Sequence, residues 1–313
     1  MAAVASPLIA VVGPTAAGKS ALALRLAREH SGEIVSCDSL QVYRGLDIGS
    51  AKATPEERAS VPHHLIDVVE PDAVFSAADY ARLAREATAA IRARGRLPIV
   101  AGGSGLYLRA LLYGLFDGPS RNEALRARLE RIAVRFGDAR LHRLLRRVDP
   151  RAAERTHPND RLRIVRALEV YALTGRPISA QHAERGPALE GPQLLLGLAP
   201  DRGRLRKAVE ARTRQMLERG LLEEVRALMA RFGEPLPRPL AAIGYRQAVS
   251  VLRGELTTEA AEQSIVTETL RFAKRQMTWF RHQTPKDVRW FEDPEAAHGF
   301  AAGWLATAEP PSA

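Results

Sequence analysis

Short apolar runs alternate with helical patterns along the first hundred residues. The apolar run Pro7–Val12 predicts a buried strand, and Glu33–Ser36 and Leu97–Ala101 predict a second and a third strand. Ser76 and Asp79 have the spacing of a capping box, which predicts the start of a helix that Gly95 ends. Strands that alternate with helices predict an α/β fold with a parallel, doubly wound sheet, which binds its ligands at the carboxyl ends of the strands.

The strand pattern stops near residue 120 and resumes near residue 193. Residues 120–192 are rich in arginine, helical in pattern and interrupted by prolines, which predicts an all-helical insertion domain. Gln193–Ala199 predicts a further strand, and amphipathic patterns predict helices at about 203–219, 221–231, 241–253 and 257–283. We therefore predict a core of residues 1–119 and 193–313, interrupted by the insertion.

Composition is that of an ordinary globular protein, with 46% hydrophobic and 26% charged residues. No apolar run approaches the roughly 18 residues that a membrane span requires, and Met1–Val12 lacks the basic start of a secretory signal. The single cysteine, Cys37, excludes an intramolecular disulfide and a cysteine cluster for zinc. We expect a cytoplasmic monomer without a membrane contact.

The net charge of +10 favours a polyanionic partner, because basic side chains that neutralise phosphates release counterions from nucleic acid. A coding bias toward Ala, Arg, Gly and Pro explains the arginine excess equally well. The charge permits an RNA partner without proving one.

One segment predicts a phosphate site by its spacing. Gly13-Pro14-Thr15-Ala16-Ala17-Gly18-Lys19-Ser20 fits the loop pattern G-x-x-x-x-G-K-[ST] and lies between a predicted strand and a predicted helix. Backbone N–H groups of such a loop face an anion, Lys19 adds a positive charge, and Ser20 is the predicted Mg²⁺ ligand. A plain glycine turn does not account for this context, so we predict a phosphorylated ligand.

The strand Leu97–Ala101 ends in Gly102-Gly103-Ser104-Gly105, without the carboxylate with which NTP hydrolases hold Mg²⁺. This favours a loop that binds a diphosphate over one that splits a nucleoside triphosphate. Many small-molecule kinases also lack a clear second motif, so a kinase stays an alternative.

Further segments occur in a distinctive order and spacing. They are Asp38-Ser39-Leu40-Gln41-Val42-Tyr43, Asp47-Ile48-Gly49-Ser50-Ala51-Lys52, Gly102–Tyr107, His157–Asp160, Arg166–Tyr171, Ile243–Gln247 and Lys274–Arg281. With the phosphate loop, they give the chain a resemblance to bacterial tRNA dimethylallyltransferases over about residues 8–281. The resemblance implies a P-loop NTPase-like core with a helical insertion, dimethylallyl diphosphate and Mg²⁺ as ligands, and the tRNA anticodon arm as acceptor. The implied reaction prenylates the exocyclic amine of the adenosine 3′-adjacent to the anticodon.

The resemblance also implies roles for individual positions. Asp38 is the base that takes the proton of the adenine amine, and Ser104 supplies a hydroxyl near the reacting groups. The implied diphosphate- or nucleotide-binding positions are Gly13, Pro14, Thr15, Ala16, Ala17, Gly18, Lys19, Ser20 and Arg212. The implied tRNA-contacting positions are Asp38, Ser39, Leu40, Gln41, Ser104, Arg126, Leu162, Arg163, Arg166, Gly244, Tyr245, Arg246, Lys274, Arg275 and Arg281.

Several positions leave alternatives open. Gln41 and Ser39 are both candidates for reading the edge of a flipped base. Leu162 stands where the family usually has Gln, and we expect it to pack against a neighbouring helix. The adjacent His63 and His64 have no further ligand at metal spacing, so we expect ordinary histidines.

The last predicted helix carries a basic face opposite an apolar one. The basic face comprises Arg271, Lys274, Arg275, Arg281 and His282, and the apolar face comprises Leu270, Ala273, Met277 and Phe280. This arrangement suits a helix that packs on the core and faces phosphates, although a solvated face gives the same pattern.

Three alternative functions remain compatible with the sequence. They are a small-molecule or nucleotide kinase, an enzyme that prenylates free adenine nucleotides, and a non-catalytic RNA-binding ATPase module.

Overall fold

The computed structural model of the protein describes residues 7–114, 118–119, 121–181, 189–284 and 287–308. The chain divides into two units. The core unit is Met1–Leu111 with Glu190–Ala313, and the helical unit is Leu112–Leu189. The predicted insertion, 120–192, begins eight residues later and ends three residues later than the helical unit.

The first part of the core unit alternates strands and helices. Its elements are β1 (Leu8–Val12), α1 (Lys19–Glu29), β2 (Gly32–Ser36), α2 (Pro55–Ser60), β3 (His63–His64), α3 (Ala77–Ala93), β4 (Leu97–Gly102) and α4 (Gly105–Tyr113). The capping box predicted at Ser76 and Asp79 is present, with each side chain bonded to the other's backbone N–H. The three predicted strands β1, β2 and β4 are confirmed.

The helical unit comprises α5 (Glu123–Phe136), α6 (Asp138–Val148), α7 (Pro150–Glu154), α8 (Arg161–Thr174) and α9 (Ile178–Gln181). The second part of the core unit comprises β5 (Gln193–Leu198), α10 (Arg202–Glu218), α11 (Leu221–Phe232), a 3₁₀ helix (Arg238–Ala241), α12 (Tyr245–Leu252), α13 (Thr258–Gln283), β6 (Arg289–Phe291) and α14 (Pro294–Ala308). Among the helices of the described segments, none combines the length and apolarity that crossing a bilayer requires.

The sheet has six parallel strands in the order β3-β2-β4-β1-β5-β6. All five residues of the central strand β1 are buried, which explains its continuous apolar sequence. Because the strands are parallel, their carboxyl ends share one edge, and the phosphate loop and Asp38 both follow strands at that edge. The predicted parallel α/β sheet is confirmed.

The helical unit has an apolar core of its own. Leu129, Leu141, Leu145 and Ile164 are buried at the centre of this core. Leu162, in contrast, is 73% exposed, so the prediction that it packs against a neighbouring helix is wrong. It lies in the first turn of α8, where its side chain faces solvent.

Candidate active site

A cavity of about 910 Å³ opens in the core unit at the carboxyl edge of the sheet. Three loops line it, namely those that follow β1, β2 and β4, and the helices α10 and α13 contribute the facing side. Its volume lies in the range of sites that enclose a small ligand. The cavity brings together the phosphate loop, Asp38, Ser104 and Arg212, which sequence analysis had placed in separate segments.

Backbone geometry fixes the shape of the phosphate loop. Gly13 has a φ of +140°, and a Cβ there would lie 2.4 Å from the carbonyl oxygen of Leu198 on the neighbouring strand. Gly18, at the start of α1, has a φ of +86°. Side chains are disfavoured at both positions, so these two glycines allow the turn into α1 that presents the loop's N–H groups.

Two basic side chains converge on the loop. Lys19 Nζ donates to the carbonyl oxygen of Pro14 at 2.6 Å, and Arg212 Nη1 donates to Thr15 Oγ1 at 3.1 Å. Burial lowers the pKa of Lys19 to about 8, repulsion from Arg212 adds to this, and Asp38 opposes it. Burial likewise lowers the pKa of Arg212, again with Asp38 opposing. Two buried cations side by side favour binding of an anion, because a nearby negative charge raises the pKa of both groups again.

Asp38 lies two residues beyond β2, in a turn that it stabilises itself. Its Oδ1 accepts the N–H of Leu40 at 2.8 Å. Among the described residues no donor bonds its Oδ2, and the half-buried side chain lines the cavity. One carboxylate oxygen thus holds the turn, and the other stays available for a proton.

The loop after β4 is bonded to the Asp38 turn. Ser104 N–H donates to the carbonyl oxygen of Cys37 at 3.1 Å, and Ser104 Oγ accepts the N–H of Ser39 at 3.0 Å. A Cβ at Gly102 would lie 2.1 Å from the same Cys37 oxygen, so only glycine permits this approach. Ser104 therefore lies beside the turn that contains Asp38.

The two candidates for reading a base are distinguished by their contacts. Gln41 Oε1 accepts from Ser36 Oγ at 2.8 Å, and its Nε2 donates to the carbonyl oxygen of Ala51 at 3.2 Å. Its amide is therefore occupied within the protein. Ser39 is exposed, which favours Ser39 over Gln41 as the side chain that meets a ligand.

The Asp47–Lys52 segment shapes one wall of the cavity through interactions that sequence analysis missed. Glu224 accepts the backbone N–H groups of Asp47 and Ile48, at 3.0 and 2.7 Å, and the hydroxyl of Tyr245 at 2.8 Å. Tyr245 is fully buried, so its side chain supports this segment from inside. A lone glutamate on an amphipathic helix carries no sequence signal for such a role.

The basic residues implied for tRNA contact fall into two groups. In the core unit, Lys274, Arg275 and Arg281 are exposed, and exposed Arg246 pairs with Glu268. In the helical unit, exposed Arg163 pairs with Asp160, whereas Arg126 and Arg166 both bond the buried carboxylate of Glu169. The basic face predicted on α13 is solvent-exposed, and Ala273 and Phe280 on its opposite face are buried.

Ser20 is exposed in the first turn of α1 and lines the cavity. Within the described ranges no three His, Cys, Asp or Glu side chains cluster in a way that could hold a metal ion, and this includes His63 and His64. One hydroxyl beside a phosphate loop fits a Mg²⁺ ion that takes most of its ligands from substrate oxygens and water. His64 Nε2 bonds Glu33 at 2.7 Å and has a structural role.

Comparison with known proteins assigns the family. The model of the IPP transferase family matches residues 41–283. The chain belongs to this family. It is 49% identical to tRNA dimethylallyltransferase 2 of Geotalea uraniireducens, covering 92% of this chain and 93% of that protein. It is 50% identical to the tRNA dimethylallyltransferase of Anaeromyxobacter sp. strain Fw109-5, covering 94% and 97%.

Solved structures agree with this assignment to the IPP transferases. A tRNA isopentenylpyrophosphate transferase from Bacillus halodurans matches with a TM-score of 0.69 and 38% identity, covering 96% of this chain and 97% of that one. A eukaryotic dimethylallyltransferase acting on tRNA matches with a TM-score of 0.79 and 25% identity, covering 98% and 81%. The resemblance stated from the sequence and the P-loop NTPase-like fold are both confirmed.

Proposed function

We propose that the protein transfers a dimethylallyl group from dimethylallyl diphosphate to tRNA, and that it does so as a cytoplasmic monomer. The acceptor is the exocyclic amine of the adenosine that follows the anticodon on its 3′ side. One observation carries the proposal: an anion-binding loop with Lys19 and Arg212 shares its cavity with Asp38, whose Oδ2 no described residue bonds. Membership of the IPP transferase family supplies the reaction class, prenyl transfer.

The donor's diphosphate binds to the backbone N–H groups of the loop, beside Lys19 and Arg212. Negative charge grows on the diphosphate as the carbon–oxygen bond breaks, and these fixed donors stabilise it without reorganisation. Ser20, at the start of α1, would help to hold a Mg²⁺ ion, which would supply further charge neutralisation for the diphosphate.

At the acceptor end, the amine nitrogen forms a bond to the allylic carbon while that carbon loses its oxygen. The amine's lone pair is shared with the adenine ring, so the nitrogen is a weak nucleophile. Asp38 takes the amine proton as the new bond forms, a contribution of roughly 10²- to 10⁴-fold in rate. The products are the prenylated adenosine, diphosphate and a protonated Asp38, which then returns its proton to solvent.

The adenine must leave its stack to reach Asp38, at a cost of a few kcal/mol that is smallest in an unpaired loop. Ser39 and Ser104 flank Asp38 and offer hydroxyls to the edge of the flipped base. The anticodon loop meets this requirement because its nucleotides are not base-paired.

The kinase and ATPase alternatives are not favoured. β4 ends in Gly102 and continues through Gly103 and Ser104, without the carboxylate that positions Mg²⁺ for phosphoryl transfer. The relatives that cover most of the chain are tRNA dimethylallyltransferases, which also disfavours free adenine nucleotides as acceptors.

Incubation of the protein with dimethylallyl diphosphate and unmodified tRNA tests the proposal. We expect mass spectrometry to find an added isopentenyl group on one adenosine beside the anticodon, and no such product with AMP. ATP without RNA should be hydrolysed negligibly. Turnover of AMP at the rate of tRNA, or rapid ATP hydrolysis, would contradict the proposal.

A further inference from the structure

Gln276 of α13 links two loops of the cavity that are distant in sequence. Its Oε1 accepts the backbone N–H of Thr15 at 2.9 Å, and its Nε2 donates to the carbonyl oxygen of Gly103 at 3.0 Å. A backbone donor faces one end of the amide and a carbonyl faces the other, so the orientation of the amide is determined. The side chain is 8% exposed.

Because Gly103 has no side chain, the Gln276 amide can lie directly against its backbone. A Cβ at Gly103 would lie 2.4 Å from Gln276 Nε2. One turn further along α13, Trp279 covers Gly105, where a Cβ would lie 2.0 Å from its ring. Two side chains of one helix therefore hold the loop between β4 and α4.

Both ends of the Gln276 link lead to reacting groups. Thr15 belongs to the diphosphate loop and bonds Arg212 through its hydroxyl. Gly103 directly precedes Ser104, whose hydroxyl bonds the Asp38 turn at Ser39 N–H. Gln276 is thus connected to Arg212 through Thr15, and to the Asp38 turn through Gly103 and Ser104.

The same helix carries the exposed basic face. Lys274 and Arg275 directly precede Gln276 and are exposed, whereas Gln276 is buried. Because a helix is stiff over one turn, a displacement of this part of α13 would move Gln276 together with the two loops that it bonds.

We propose that Gln276 is a positioning residue that couples RNA docking on α13 to the diphosphate site, an inference that rests on the proposed function. RNA bound to α13 sets Gln276, and Gln276 sets the distance between the diphosphate loop and the Asp38 turn. Each ligand therefore tightens binding of the other by the same factor, as linkage requires. Gln276 lines the cavity, but both ends of its amide are bonded to the protein, to Thr15 N–H and to the carbonyl oxygen of Gly103.

The test measures affinity for an unreactive thiolo analogue of dimethylallyl diphosphate, with and without a saturating anticodon stem-loop RNA. We expect the RNA to tighten analogue binding by about 5-fold or more in the wild-type protein. Gln276→Glu keeps an acceptor for Thr15 but loses the donor to Gly103, and we expect the factor to fall to within about 2-fold of unity. In Gln276→Glu, the fold-decrease in turnover number should exceed the fold-change in the Michaelis constant for tRNA.

Gly103→Ala is the second variant. The Cβ of the alanine would displace the Gln276 amide while leaving Gln276 in the protein. We expect this variant to lose the coupling too. Gln263→Glu, an exposed site on the same helix, is the matched control and should keep the wild-type factor. Melting temperatures of all variants are recorded. A structural role alone would lower stability and leave the RNA-dependent factor unchanged.

Coupling that persists in Gln276→Glu, or an absence of coupling in the wild-type protein, would overturn the proposal. If neither variant folds, hydrogen exchange of wild-type protein decides: RNA alone must increase protection of the peptide that contains Thr15, and unchanged protection overturns the proposal. Failure of the proposed function is separately visible, because wild-type protein would then not prenylate tRNA with the authentic donor.

Discussion

Arg126 forms a bidentate pair with Glu169, with both N···O distances at 2.8 Å. Arg166 bonds the same carboxylate at 2.7 Å, and the backbone N–H of Asn122 bonds it at 2.8 Å. Glu169 is fully buried in the helical unit. Burial opposes its ionisation, but these donors outweigh it and lower the pKa of Glu169 to about 2.

The Glu169 pair gives the first prediction. Glu169→Gln should lower the free energy of unfolding by roughly 3 kcal/mol at pH 7, because it leaves two arginines without their counter-charge. The unfolded carboxyl takes up a proton near its ordinary pKa of 4.5, whereas the folded one does so only near 2. The stabilisation is therefore present above pH 4.5 and is lost as the pH falls toward 2.

Denaturant unfolding between pH 7 and pH 3 measures this. The difference between wild type and variant should shrink below pH 4.5, and a difference that grows in acid would contradict the assignment. Glu123→Gln is the control, because Glu123 is an exposed carboxylate that pairs with Arg121 at the surface.

Lys19 predicts a pH dependence of diphosphate binding. Burial, with repulsion from Arg212, lowers the pKa of Lys19 to about 8, so the free protein loses this charge as the pH rises through 8. The ratio of wild-type to Lys19→Met affinity for inorganic diphosphate should be constant below about pH 7 and should fall above pH 8. Titration calorimetry from pH 6.5 to 9.5 measures the ratio, with Lys207→Met as a surface control. A ratio that stays constant to pH 9.5 would show that Lys19 does not act through its charge.

The exposed face of α13 predicts a salt dependence. Lys274→Gln together with Arg281→Gln should flatten the log–log slope of tRNA affinity against salt by roughly 1.5–2, because each phosphate contact releases about one counterion. Affinity for dimethylallyl diphosphate should stay the same, since neither residue lines the cavity, whereas Arg275 does. An unchanged slope would mean that the face is merely solvated. The control is the exposed pair Arg202 and Lys207 on α10, changed in the same way.

The exposure of Leu162 predicts that its substitution by Gln leaves the free energy of unfolding almost unchanged. Leu162→Gln should change the free energy of unfolding by less than about 0.5 kcal/mol, because the side chain is 73% exposed. We expect tRNA to bind roughly 2- to 10-fold more tightly, because Gln, the usual residue of the family at this position, can form hydrogen bonds and Leu cannot. Thermal unfolding and tRNA titration measure both effects. Leu168→Gln, 7% exposed on the same helix, should be strongly destabilising by comparison, and equal effects at the two positions would refute this view of α8.

The sequence predicted the central strands but not the edges of the sheet. β1 and β4 are largely apolar runs of five and six residues, and β2 has Ile34 and Val35 at its centre. β3 has two residues and β6 has three. Strands this short have no periodic pattern of their own, and their partners at a distance in sequence determine their existence.

The candidate site divides along similar lines. Motif spacing predicted the phosphate loop, and resemblance supplied Asp38, Ser104 and Arg212, which the fold brings to one cavity. Gln276 lies within the Lys274–Arg281 motif, but its role was missed because its contact with Thr15 spans 261 residues and no local pattern encodes such a pair. Tyr245 was assigned to RNA contact, but its ring is buried against Gly49. A motif identifies a segment and does not determine which of its side chains are buried.

The base role of Asp38 is the central claim, and Asp38→Asn tests it most directly. The amide oxygen of Asn can still accept the Leu40 N–H that holds the turn, so the variant removes the proton acceptor and keeps the backbone. Single-turnover prenylation of tRNA, with tRNA affinity measured in parallel, separates chemistry from binding. We expect the rate to fall by at least about 10²-fold while the tRNA dissociation constant stays within about 3-fold of wild type. A single-turnover rate within a few-fold of wild type would contradict the account.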